Sequence, residues 1–189
     1  MKRVKVMTGK AIVVVSGGPG FGKSSLLEEL ERRGYKTGQE SAREIMIEQL
    51  QSGGDVLPDK NRKAFQEAVL NRRIRFYESV GDNEVAFSDR GIPDQLAFSV
   101  FRGFQPDALL LEKANEYRYF PVVFVCPPWE GIYQTDDVRD ESFEEACRIH
   151  QFVCKAYSDL NYELVELPLV SIEGRADFIL AYLETFGLI

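Results

Sequence analysis

The stretch Gly17-Gly18-Pro19-Gly20-Phe21-Gly22-Lys23-Ser24 satisfies the pattern Gly-x-x-x-x-Gly-Lys-Ser and follows directly on the apolar run of residues 11–16. The glycines let main-chain N–H groups turn inward around phosphate oxygens. A helix opening at Lys23 would add its positive N-terminal end to the same concavity. In such a loop the lysine reaches the β- and γ-phosphates, and the serine hydroxyl can ligate Mg²⁺. Gly17, Gly18, Pro19, Gly20, Phe21, Gly22, Lys23, Ser24 and Ser25 are therefore the expected nucleotide-binding residues. A glycine-rich turn with a coincidental Lys-Ser is the alternative. The strand pattern before the octet and the helix pattern after it argue against that.

Outward from the loop, short apolar runs alternate with long amphipathic segments. Residues 11–16 are β-branched almost throughout, as in a strand buried on both faces. A helix is expected over residues 23–33, ending at Gly34, and a weak strand over residues 35–40. Ser41-Ala42-Arg43-Glu44 reads as a capping box opening the next helix, and residues 58–80 as one long helix. Strands follow at residues 84–88, 120–126 and 162–167. Pro93 and Pro106 suit first helical positions. Ser142-Phe143-Glu144-Glu145 is a second capping box, for a helix running to Leu160 with Asn161 beyond it, and Ser171 caps a last helix. Strands separated by helices imply right-handed crossovers and a parallel sheet between helical layers. With no repeat and no linker, residues 1–189 are expected to form one α/β nucleotide-binding domain.

Composition bounds the partners. A net charge of -7 argues against a generic nucleic-acid binder, which needs a basic face to displace counterions, while local basic groups leave an anionic small substrate open. Cys147 and Cys154 lie about 10 Å apart along a helix axis, too far for a disulfide. Cys126 stands alone, and an unpaired cysteine set suggests a reducing, cytoplasmic setting. No run approaches the roughly 20 apolar residues of a membrane span, and residues 11–15 are too short for a signal peptide.

A second acidic site is expected at the end of the third strand, where Val85-Ala86-Phe87-Ser88-Asp89 has the form of a Walker B element. Asp89 could hold the Mg²⁺ shell beside Ser24. Arg90 follows where a hydrolytic motor commonly places a carboxylate. An arginine there suits binding an anionic acceptor or stabilising a transferred phosphoryl, with a strand-end surface ion pair as the lesser alternative. The polar segment 134–141 could form a lid with Arg139 closing over the phosphates, or a solvated loop. Glu40 could act as general base toward a substrate hydroxyl with Arg43 holding the acceptor, or the two could form a helix-start ion pair. Arg72, Arg73 and Arg75 fit a solvated helix face better than a phosphate clamp. Phe65, Phe76 and Tyr77 fit core better than the lining of an acceptor pocket. Trp129 could cover a base or simply pack, and Asp94 suits a first helical turn on electrostatic grounds alone.

Taken together, the loop, Glu40-x-x-Arg43, Asp89-Arg90-Gly91-Ile92-Pro93-Asp94, Pro127-Pro128-Trp129, Asp136-x-x-Arg139 and Tyr162-Glu163-Leu164-Val165 with Pro168 resemble a group of small P-loop ATPases that carry an AAA label yet look like kinases. A weaker resemblance extends to nicotinamide riboside kinase domains and to thymidylate and deoxynucleoside kinases. It implies a three-layer P-loop NTPase fold with strand order 2-3-1-4-5, ATP and Mg²⁺ at the C-terminal strand ends, and an acceptor between the second and third strands. Lys23, Glu40, Asp89, Arg90 and Arg139 would be the catalytic set, and Ser24 and Asp89 the metal ligands. The single arginine in the lid departs from the kinases.

The expected function is transfer of the ATP γ-phosphoryl to a hydroxyl on a small, nucleoside-like acceptor. The competing reading is an ATP- or GTP-binding switch or weak NTPase acting through a partner or lipid; the absence of Asn-Lys-x-Asp counts against a Ras-like GTPase. A hydrolytic motor fares worst, because the chain is short and Arg90 replaces the expected acid.

Overall fold

The computed structural model describes residues 9–105, 107–133 and 141–189. Five parallel strands, β1 (Ala11–Gly17), β2 (Lys36–Gly38), β3 (Val85–Asp89), β4 (Val122–Cys126) and β5 (Glu163–Glu166), form one sheet in the order β2-β3-β1-β4-β5. Seven α-helices flank it among the described residues: α1 (Lys23–Arg32), α2 (Ser41–Ser52), α3 (Arg62–Ser79), α4 (Ile92–Phe101), α5 (Ala108–Glu116), α6 (Phe143–Asp159) and α7 (Ile172–Glu184). None is long and apolar enough to cross a membrane.

The apolar run of β1 explains the three layers. Successive strand residues point to opposite faces. Val13 and Val15 pack with Leu26, Leu27 and Leu30 of α1 and Ile179 and Leu183 of α7. Ile12 and Val14 pack with Leu70, Leu96, Leu110, Ile149 and Val153 on the other side. Both faces are dry, so no alternation with polar residues is possible. A third, smaller cluster of Ile45, Phe65 and Val69 joins α2 to α3 and stands apart from the sheet.

Register carries the chemistry to one edge. Val15 pairs with Asp89 and Gly17 with Cys126, so the phosphate loop leaves β1 beside the strand-end acid. Gly17 has φ 130°, and a Cβ there would lie 2.5 Å from the Cys126 carbonyl oxygen. Only glycine lets the chain turn this close to β4.

Several helix starts differ from the sequence reading. The capping box at Ser142 is present, with the Ser142 hydroxyl accepting from Glu145 N–H at 3.2 Å, and Ser171 accepts from Gly174 N–H. Asn161, beyond the end of α6, is left-handed at φ 61°. Ser41, by contrast, is the first residue of α2 rather than its cap, because Glu40 occupies the cap position and turns its carboxylate toward Arg90. The long helix begins at Arg62, capped by Asn61, instead of near Pro58. Helix α5 begins at Ala108, where Asp107 accepts from Leu109 N–H, and Pro106 lies outside the described residues. Pro93 sits second in α4, after Ile92.

Candidate functional site

The loop between β1 and α1 forms a turn in which Gly20 and Gly22 adopt left-handed φ values of 75° and 80°. Lys23 is 3% exposed, and its ammonium donates to the Gly18 carbonyl at 2.6 Å, closing the loop on itself. Burial, reinforced by the nearby Arg90 charge, lowers its pKa to about 8. A triphosphate in the loop would restore the charge that burial disfavours. Phe21 does not face the loop's concavity. Its ring is buried with Tyr133, Phe143 and His150, so only its main chain is placed for phosphate. Ser25 is exposed in the first turn of α1.

Ser24 and Asp89 meet as the spacing suggested. The Ser24 hydroxyl donates to Asp89 Oδ2 at 3.3 Å. Asp89 is 2% exposed, and among the described residues its Oδ1 has no hydrogen-bond partner. Burial, with the Glu40 charge, raises its pKa to about 6. A hydroxyl and a carboxylate with an unmatched buried oxygen, beside a phosphate loop, are a donor set that fits Mg²⁺.

Arg90 is more enclosed than its expected role required. It is 2% exposed and carries a left-handed φ of 67°, a strained conformation for a residue with a side chain. Its Nε donates to Glu40 Oε1 at 3.0 Å, and its Nη1 donates to the Gly17 carbonyl and to Asp94 Oδ1, each at 2.9 Å. Burial opposes its charge, but Glu40, Asp94 and Asp89 together hold it firmly protonated. Among the described residues only Nη2 of this guanidinium carries no hydrogen bond. Arg90 thereby ties Glu40, which caps α2 beyond the end of β2 rather than ending the strand, to the phosphate loop. Glu40 pairs across to Arg90, so its position is set by a residue fifty places away.

Asp94 is the residue whose importance sequence reasoning missed. It is wholly buried and accepts from Ser16 Oγ at 2.6 Å, Arg90 Nη1 at 2.9 Å, Gly91 N–H at 2.8 Å and Tyr157 Oη at 2.6 Å. Burial alone would raise its pKa, yet Arg90, Arg73 and these donors hold it below the usual value. The signal was local: Asp94 stands four residues after Arg90, one helical turn away. Tyr157, on α6, carried no such signal.

The expected solvated face of α3 divides. Arg72 pairs with Glu44 and Glu48 at 3.2 and 2.8 Å, and Arg75 is exposed. Arg73, however, is 4% exposed and turns inward. It lines a cleft of about 200 Å³ with Pro19 of the phosphate loop, Glu40, Phe65, Arg90 and Gln95. Of the aromatic stripe, Phe65 walls this cleft, Phe76 packs over Gly38, and Tyr77 donates to the Arg118 carbonyl. Trp129 is half-buried with the Arg175 guanidinium 5.6 Å from its ring. Arg175 also presses on the loop, where a Cβ at Gly22 would meet its Nη1 at 3.0 Å. The lid expected at 134–141, with Asp136, Asp137 and Arg139, lies outside the described residues except for Glu141, which borders the cleft.

A family model described as an AAA domain matches residues 12–175. A NadR protein solved in complex with NR is similar in structure, with 16% identity and a TM-score of 0.66 over 94% of this chain. The chain spans 50% of that protein's length. A deoxyadenosine kinase from M. mycoides with bound dATP has 14% identity and a TM-score of 0.55, over 92% of this chain and 99% of its own. A thymidylate kinase from Ehrlichia chaffeensis has 12% identity and a TM-score of 0.59, over 93% and 99%. Identities this low establish a shared P-loop kinase fold. No curated protein matches the chain.

Proposed function

The chain belongs to the AAA-domain family, and on that footing we propose that it is a small-molecule kinase that moves the γ-phosphoryl of ATP to a hydroxyl acceptor, with residues 1–189 acting as one nucleotide-binding unit. One observation carries the reading: a cleft bounded by Pro19 of the phosphate loop, Glu40 and Arg90 opens directly against the expected triphosphate position. Hydrolysis needs room only for water, and a switch needs no second pocket at all. A cleft of about 200 Å³ beside the loop gives room for a small second substrate.

In this reading the loop from Gly17 to Ser25 holds the triphosphate, and Lys23 leaves the Gly18 carbonyl to bind the β- and γ-phosphates. Mg²⁺, when bound by Ser24 and Asp89, would draw charge from the phosphate oxygens. Arg90 holds Glu40 in place at 3.0 Å, on the wall of the cleft. The acceptor oxygen attacks the γ-phosphorus as its proton passes to the Glu40 carboxylate, and the bond to the bridging oxygen of ADP breaks. Arg90 Nη2 and, from the segment beyond Tyr133, Arg139 would stabilise charge on the equatorial oxygens. Positioning in a site closed to water supplies most of the rate.

The deoxyadenosine and thymidylate kinases among the structural relatives, and the NR complex of the NadR protein, support a nucleoside-like acceptor. Phosphorus NMR of Mg²⁺-ATP with pooled nucleosides, sugars and vitamins tests the reading. A new phosphomonoester resonance with stoichiometric ADP is the expected outcome. ADP and inorganic phosphate alone, across the whole pool, would replace the kinase with an NTPase.

A further inference from the structure

Two almost wholly buried side chains in the cleft carry hydrogen-bonding atoms that no described residue meets. Arg73 is 4% exposed, and neither its Nε nor its Nη1 has a partner among the described residues. Gln95 is also 4% exposed, and its Oε1 is likewise unmatched. The orientation of that amide is fixed by its other end. Its Nε2 donates to the Gln66 main-chain carbonyl at 3.0 Å and to Gln66 Oε1 at 2.9 Å. A main-chain carbonyl only accepts, so nitrogen must lie on that side and oxygen must face away.

An unmatched buried polar group costs roughly 1–3 kcal/mol, and more when charged. Native interiors seldom leave a donor and an acceptor unmatched in one cavity unless something else fills it. Here both residues line the same cleft, which has the volume of one small head group. Arg73 lies near enough to Asp94 to help keep that carboxyl ionised, and the Glu141 carboxylate borders the same cleft, so charge alone does not select a full anion as its partner. The rest of the wall is mixed: Phe65, Val69 and Phe98 give it an apolar stretch, beside Arg62, Ser99 and Arg102.

Resting on the reading of this cleft as the acceptor site, we propose that the acceptor carries a planar head with a carbonyl oxygen beside an N–H. The oxygen accepts from Arg73, and the N–H donates to Gln95 Oε1. A primary carboxamide and the lactam edge of a heterocyclic base both have this pattern. A carboxylate would satisfy Arg73 but set a negative oxygen against Gln95 Oε1. A polyol would leave no acceptor-and-donor edge for this pair and would press some of its hydroxyls against the phenyl and isopropyl groups of Phe65, Phe98 and Val69.

Binding measured by calorimetry with Mg²⁺ and a non-hydrolysable ATP analogue tests this directly. The probes are uridine, inosine and nicotinamide riboside, each set against a counterpart without the donor: 3-methyluridine, 1-methylinosine and nicotinate riboside. Myo-inositol and gluconate stand for polyol and carboxylate heads. At least one parent riboside should bind, with its counterpart weaker by roughly tenfold or more, as loss of a buried hydrogen bond implies. Gln95→Met should erase the difference within the pair, and Arg73→Met should weaken the parent to the level of its counterpart. Equal binding of parent and counterpart overturns the proposal, as does binding of myo-inositol or gluconate alone, or of no probe. Should Arg73→Met not fold, Gln95→Met decides. Riboside binding without transfer would sink the kinase reading and leave this recognition standing, whereas transfer to gluconate would do the reverse.

Discussion

Arg90 and Arg73 line the same cleft, and each is almost entirely buried, yet the chain provides for them differently. Arg90 comes with two carboxylates and a main-chain carbonyl at 2.9 to 3.0 Å. Arg73 keeps two nitrogens unmatched among the described residues. A buried charge without partners is tolerated where a ligand will supply them, and a buried charge already held by carboxylates serves the scaffold whatever else its remaining nitrogen binds. The network through Asp94 and Arg90 therefore stands without a ligand, while the part of the cleft at Arg73, the acceptor side in the proposed reading, keeps polar atoms that no described residue meets.

That contrast can be broken most forcefully at Asp94. Asp94→Ala removes the acceptor for four donors and leaves Arg90 under-compensated, so the fold should lose about 3–5 kcal/mol by urea denaturation. A loss below 1 kcal/mol would mean that the network is not what holds this half together. At Lys23 the effect should fall on binding. Lys23→Ala should weaken ATP by on the order of 100-fold in calorimetry, the value of a charge-assisted phosphate contact, with the urea midpoint little changed. Unchanged ATP affinity would move the triphosphate elsewhere.

Acidification probes the same contrast more gently. The carboxyl of Asp94 is held below its ordinary 3.8 in the folded chain, so below that value the unfolded state binds more protons than the native one. The stability Asp94 supplies should be intact above pH about 4 and drain as pH falls through the folded-state value. Asp94→Asn should lack this dependence, and a parallel acid limb in that variant would refute the assignment. The smallest effect is expected at Arg73. Arg73→Met, without substrate, should change stability by no more than about 1 kcal/mol in either direction, since the arginine has few native bonds to lose. A loss of several kcal/mol would make Arg73 scaffold after all.

The legibility of these features follows their range. The phosphate loop, the meeting of Ser24 with Asp89, and the alternation that yields a parallel sheet were readable because each depends on neighbours in sequence or on strand periodicity. The partner of Glu40 was not. Arg43 lay closest along the chain, but β2 and β3 pair in parallel and bring Arg90 beside it. Glu40 accordingly became a cap rather than a general preface to Ser41. Helix α3 was misread at its start because Pro58 is a common opener, whereas Asn61 makes the hydrogen bond that begins it.

By itself the sequence determined a nucleotide loop, five strands, and an arginine where a hydrolase carries an acid. Those follow from local backbone preference and from apolar periodicity, which need no knowledge of what lies opposite. Only the tertiary structure decided that Asp94 is the centre of a buried network, and that of three neighbouring arginines on α3 the middle one turns inward. Adjacent helical positions differ by 100° in direction. Which direction is interior depends on where α2, α4 and the phosphate loop come to rest, and no stretch of α3 states that alone.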